Sequence, residues 1–87
     1  MLRVQFVHGL ESSPQGNKAR LFAETFDSIT PAMDTSDFEA CVELHEACLR
    51  SFAPDVLVGS SFGAAVVVEI LRRGAWTGPT LLLAQAT

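Results

Sequence analysis

Four short apolar segments, separated by three segments of helical periodicity, constrain the fold of this chain more than any other feature. The predicted strands are residues 2–7, 26–29, 55–59 and 80–84. The last two are continuous apolar runs rather than alternating ones, which is typical of parallel strands covered on both faces. The order β-α-β-α-β-α-β therefore predicts an α/β fold: a four-stranded parallel sheet with helices on both faces and right-handed crossovers.

The helical segments have recognisable starts and ends. Ser13-Pro14 offers an N-cap and a proline at the first helical position, which predicts a first helix to about residue 25. Ser36 and Glu39 have the spacing of a capping box, which predicts the start of the second helix. The third helix is predicted from about residue 61 to the Arg-Arg-Gly sequence that ends at residue 74.

Composition limits the classes of function. The chain has 87 residues, 48% of them apolar, and a formal net charge of −4. This predicts one globular domain over residues 1–87 and argues against a nucleic-acid partner, which would need a basic face. No apolar run reaches the roughly 20 residues that span a bilayer. The N-terminal residues also lack the basic-then-apolar pattern of a secretory signal peptide. With two cysteines that form no disulfide framework, we expect a cytoplasmic protein without a membrane partner.

A G-x-S-x-G motif lies between the third strand and the third helix. It runs from Gly59 through Ser61 to Gly63. A serine at a sharp strand-to-helix turn has a strained backbone, and small residues two before and two after let strand and helix pass without collision. The turn presents the hydroxyl beyond the carboxyl edge of the sheet, beside a helix N-terminus. Ser61 is therefore the candidate nucleophile, and a plain β-to-α turn is the alternative.

A second motif follows the first strand at the same edge of the sheet. It reads His-Gly-x-x-Ser-Ser-Pro from His8, with Lys-Ala further on. Together the two motifs resemble the α/β-hydrolase superfamily, in particular its compact bacterial esterase branch. The resemblance implies that the backbone N–H groups of Leu10 and Phe62 form the oxyanion hole, and that Ser61 attacks small acyl esters without a cofactor. It also implies the spatial strand order 2-1-3-4.

One departure from the family pattern is large. In such hydrolases the acid and the catalytic histidine follow the strand that here ends at Ala84, and this sequence contains neither. We therefore expect the N-terminal, nucleophile-carrying half of the fold, a truncated core with weak esterase activity. His8 is a candidate base, although in the family a histidine at this position orients its loop. Two alternatives stay open: a catalytically inactive half-hydrolase domain, and a phosphate-ester binder at the helix N-terminus.

Other polar residues are assigned structural roles. Cys41, His45 and Cys48 share one helical face, but the two sulfurs are roughly 10 Å apart along the axis, too far for one metal ion. Buried thiols, a core histidine and no metal are expected. Asp34 and Glu11 are further candidates for the active edge, and the favoured role of Asp34 is to solvate or cap a loop. The remaining cations are expected to be solvated helix surface: Lys18, Arg20, Arg72 and Arg73.

The predicted strand order has a consequence for assembly. It leaves residues Thr80–Ala84 as an apolar strand at the edge of the sheet, with unpaired backbone groups. Natural proteins usually cover such an edge. We therefore expect a two-fold homodimer in which these edges pair or their apolar faces pack together.

Overall fold

The computed structural model describes residues 1–9 and 17–83, which form seven elements. They are β1 (Arg3–Val7), α1 (Asn17–Thr25), β2 (Asp27–Ile29), α2 (Phe38–Phe52), β3 (Val56–Ser60), α3 (Phe62–Arg72) and β4 (Thr80–Leu83). The strands pair in parallel in the order β2-β1-β3-β4. The predicted α/β fold and strand order are confirmed. The expected helix start at Ser13-Pro14 and the strand end at Ala84 lie outside the described residues.

Two separate apolar cores show that helices cover both faces of the sheet. On one face, Val4 and Phe6 of β1 pack with Ala19 of α1. On the other face, Val7 packs with buried residues of α2 and α3. Neighbouring residues of a strand point to opposite faces, so β1 contributes to both cores. The carboxyl ends of β1 and β3, where the two motifs lie, are thereby held side by side.

The start of α2 differs from the prediction. The N-cap is Asp37, whose carboxylate accepts a hydrogen bond from Ala40 N at 3.0 Å. The Ser36–Glu39 capping box is wrong because both side chains have other partners. Asp34 accepts hydrogen bonds from the backbone N–H and the hydroxyl of Ser36, and Glu39 pairs with Arg73. The hydrogen bonds from Ser36 lower the pKa of Asp34, which caps this loop as expected.

Arg73 is not simply solvated surface. It is the C-cap of α3, and its guanidinium donates to Glu39 of α2 at 2.6 and 2.9 Å and to Glu69 at 2.7 Å. Hydrogen bonds from Arg72 and Arg73 lower the pKa of Glu69 to about 2. This ion-pair network joins α2 to α3 on the side of the sheet opposite α1.

β4 is an edge strand of the sheet, as the sequence predicts. Leu81 and Leu82 are each nearly half exposed, at 48% and 46%. Leu82 pairs in register with Gly59 and Leu81 with Val58, so the two leucines lie on opposite faces of the sheet. Among the helices of the described residues, none combines the length and the apolar character needed to cross a membrane.

Candidate nucleophile site at the strand–helix turn

Ser61 has the backbone geometry of a strained turn. It lies between β3 and α3 as the N-cap of α3, with φ 58° and ψ −120°. Positive φ is uncommon for a residue with a side chain, and such a conformation costs on the order of 1–3 kcal/mol. The carbonyl of Ser61 accepts a hydrogen bond from Ala64 N at 2.9 Å, which ties the turn to the first turn of α3. The residue is half buried, and its strained turn is the geometry expected for the motif.

The two motif glycines are required by close backbone approaches. A Cβ at Gly59 would lie 2.7 Å from both Gly63 O and a methyl group of Val67. A Cβ at Gly63 would lie 1.9 Å from Val7 O. Neither position has room for a side chain, since contacts below 3.0 Å are essentially unobserved for real Cβ atoms. The spacing of the motif thus follows from how closely α3 passes both β3 and the end of β1.

The loop after β1 begins directly beside Ser61. A Cβ at Gly9 would lie 2.9 Å from Ser61 Cβ and 3.4 Å from Ser61 Oγ. Leu10, the first predicted oxyanion donor, lies outside the described residues. Phe62, the second, is the first residue of α3, and the N–H groups of a first helical turn have no intrahelical acceptor. The ring of Phe62 packs edge-to-face on Phe38 of α2, with centroids 5.9 Å apart, and anchors the turn.

His8 is buried and held by the same loop. Its side chain is 4% exposed, and Nδ1 lies 2.9 Å from Gly9 O. A carbonyl oxygen can only accept, so Nδ1 is the donor in this contact. Nε2 has no hydrogen-bond partner among the described residues, so His8 is not hydrogen-bonded to the Ser61 hydroxyl. This contact fits the loop-ordering role and leaves the role of base as a prediction.

His45 is a core histidine, as expected, but its environment is polar. Gln5 of β1, also fully buried, donates through Nε2 to His45 Nδ1 at 2.8 Å and to His45 O at 3.2 Å. Burial, with a smaller contribution from His8, lowers the pKa of His45 to about 4. Gln5 Oε1 and His45 Nε2 have no partners among the described residues. No sequence signal predicts this pair, because Gln5 occupies a polar position in an alternating strand.

The two cysteines of α2 are free thiols that the surrounding structure covers at least in part. Burial raises the pKa values of both thiols, and Cys41 Sγ donates to Asp34 O at 3.2 Å. Cys41 is buried and Cys48 half buried, and both are free thiols. Within residues 1–9 and 17–83, no group of three or more His, Cys, Asp or Glu side chains is arranged to hold a metal ion.

Lys18 has a polar contact that differs from the sequence-based expectation. It was expected to be solvated surface, but its Nζ donates to Ser60 Oγ at 3.1 Å. Ser60 is the last residue of β3 and is 4% exposed. The Lys-Ala pair of the second motif was the available signal, since it places a cation at the start of the helix that follows the β1 loop. The structure therefore places Lys18 beside Ser60, and Gly9 beside Ser61, at one edge of the sheet.

No protein-family model matches this chain, and comparisons with curated proteins and with solved structures give no significant match.

Proposed function

We propose that this chain carries the nucleophile of a serine hydrolase of esterase type that acts on small acyl esters. The observation that supports the proposal is the backbone of Ser61, with φ 58° and ψ −120° between β3 and α3. A strained, half-buried serine at the carboxyl edge of a parallel sheet is the feature that G-x-S-x-G hydrolases use. Strain of this kind persists where the surrounding structure enforces it, and it concentrates at functional sites.

The proposed chemistry is acyl transfer to the serine followed by hydrolysis. Ser61 Oγ attacks the ester carbonyl, the alcohol leaves, and water then releases the acid from the acyl-serine. The Phe62 N–H, together with the predicted Leu10 N–H, would donate to the oxyanion of the tetrahedral intermediate. The positive end of α3 begins directly after Ser61 and would favour the same negative charge. The arrangement stabilises the charge that develops during attack.

Proton transfer from Ser61 limits the rate of the proposed reaction. The hydroxyl proton of Ser61 needs an acceptor, and the sequence contains two histidines, His8 and His45. Nε2 of His8 is buried and has no hydrogen-bond partner among the described residues. His45 lies in the core on α2 and is hydrogen-bonded to Gln5. We therefore expect slow turnover, because an oxyanion hole without an efficient base gives only residual catalysis.

A fluorophosphonate probe tests the proposal without knowledge of the substrate. We expect covalent labelling of the folded protein, loss of labelling in Ser61→Ala, and unchanged labelling in Ser51→Ala, whose serine is exposed on α2. Turnover of 4-nitrophenyl acetate should follow the same pattern. A folded wild-type protein that neither labels nor turns over the ester more than Ser61→Ala would refute the hydrolase proposal and favour an inactive domain.

We further propose a homodimer that forms through β4, and a cytoplasmic location. The half-exposed Leu81 and Leu82, on an edge strand whose outer backbone groups face no strand in the described part of the chain, support the first. Two antiparallel copies of β4 would satisfy each other's backbone groups about a two-fold axis. The free thiols of Cys41 and Cys48 support the proposed cytoplasmic location, since reducing compartments preserve thiols.

A further inference from the structure

Lys18 brings a positive charge to the edge of the turn that carries Ser61. It is the second residue of α1, and its Nζ lies 3.1 Å from the hydroxyl oxygen of Ser60. Ser60 is buried and directly precedes Ser61. The ammonium is therefore held one residue along the chain from the candidate nucleophile.

The position of this lysine opposes the usual electrostatics of a helix. The first turn of a helix is its positive end and favours acidic side chains. Neither α1 nor α3 has an acidic residue in its first turn, and both helices begin at this edge of the sheet. Lys18 therefore adds a cation where two helix ends already provide positive potential. A residue that breaks a local rule in this way is expected at functional sites.

Lys18 also lacks a carboxylate partner within the described residues. Within residues 1–9 and 17–83, three arginines form ion pairs: Arg3 with Asp27, Arg72 with Glu69, and Arg73 with Glu39. None of the ion pairs among the described residues includes Lys18, although the sequence has a net charge of −4. Its described hydrogen bond is to the neutral Ser60 hydroxyl. Among the described residues, no carboxylate pairs with this ammonium, which lies next to the turn that carries the candidate nucleophile.

We infer that Lys18 determines specificity for esters whose acyl group carries a negative charge, with the carboxylate of the substrate as the counter-ion of its ammonium. The inference rests on the proposed esterase function of Ser61 and names the substrate class of that site. A carboxylate a few carbons from the scissile carbonyl would pair with Lys18 while the carbonyl lies at Ser61. The same charge would raise the rate of encounter with anionic substrates at low salt.

Two matched esters test the inference: mono-4-nitrophenyl adipate, which is anionic, and its methyl ester, which is neutral. For the wild type we expect kcat/KM to be about threefold to tenfold higher for the anionic ester, as a partly exposed ion pair would give. The preference should disappear in Lys18→Gln, persist in Lys18→Arg and fall as salt rises. Arg20→Gln, which removes an exposed cation from the same helix, should keep it.

The outcomes separate this inference from the proposed function. If the wild type hydrolyses neither ester, the esterase proposal fails and the inference with it. If the wild type and Lys18→Gln hydrolyse both esters equally well, the esterase stands and the inference is refuted. An equal loss for both esters in Lys18→Gln would make Lys18 a positioning residue for Ser60, which also refutes it. Loss of all activity in Lys18→Arg would indicate a proton-transfer role and overturn it too.

Discussion

The carbonyl oxygen of Val7 lies so close to Gly63 that a Cβ at position 63 would stand 1.9 Å from it. This approach brings the end of β1 against the first turn of α3. The loop that follows β1 is thereby placed beside Ser61, where a Cβ at Gly9 would also meet the serine side chain. The candidate site is therefore built by the contact between two elements that are distant in sequence.

Gly63→Ala tests this contact. Because backbone atoms of β1 would have to move, we expect a loss of at least about 2 kcal/mol in the free energy of unfolding. Gly74→Ala is the control: Gly74 has φ 72° but no heavy atom within 4 Å of its Cβ position, so backbone strain alone should cost about 1 kcal/mol. Urea denaturation followed by circular dichroism measures both. Equal losses in the two variants would contradict the close approach.

Because the backbone of Ser61 is strained, we expect glycine to be more stabilising than alanine at this position, which reverses the usual order. Alanine within an element is normally more stabilising than glycine, but at φ 58° and ψ −120° glycine avoids the cost of a Cβ. We expect the free energy of unfolding to be about 1 kcal/mol higher for Ser61→Gly than for Ser61→Ala. The comparison is independent of catalysis, since both variants lack the hydroxyl. A more stable Ser61→Ala would show that the turn is relaxed.

The lowered pKa of His45 predicts that the protein loses stability in mild acid. Its pKa is about 4 in the folded protein against 6.5 for the unperturbed side chain. Below pH 6.5 the unfolded chain therefore takes up a proton that the folded chain binds only near pH 4. Unfolding free energy should fall by an amount on the order of 1–3 kcal/mol as pH drops through this window. Urea titrations at several pH values between 7 and 4 measure the slope.

Two variants identify His45 as the source of that slope. His45→Leu removes the titrating ring but also the acceptor of one Gln5 N–H, which should cost about 1–3 kcal/mol at pH 7. The double variant Gln5→Leu with His45→Leu removes both partners and should recover much of that loss. Both variants should show a flatter dependence on pH between 6.5 and 4. An unchanged slope would assign the titration to another group.

The β4 edge predicts a dimer that a single charge disrupts. Leu82→Lys places a cation on the half-exposed edge strand, and charged residues at an edge prevent strand pairing. Light scattering should report twice the chain mass for the wild type and the chain mass for this variant. Leu21→Lys, on the 61% exposed leucine of α1, should remain dimeric. A wild-type monomer at micromolar concentration would refute the dimer.

Features of this fold that depend on neighbouring residues could be predicted from the sequence, and features that depend on distant residues could not. Strands were located to within about one residue because apolar runs and their glycine or proline boundaries are local. The turn at Ser61 was also local, since the two glycines flank it within two residues. The predicted start of α2 was wrong because Asp37, not Ser36, is the N-cap. Glu39 also pairs with Arg73, which lies 34 positions away.

The sequence by itself determined the alternation of strands and helices, the parallel sheet and the place of the candidate nucleophile. These depend on periodicity and on residues within about four positions of one another. Only the tertiary structure decided which polar groups meet: Gln5 with His45 across 40 positions, and Lys18 with Ser60 across 42. Such pairs depend on how each helix crosses the sheet, and that packing is a property of the whole core rather than of any one segment.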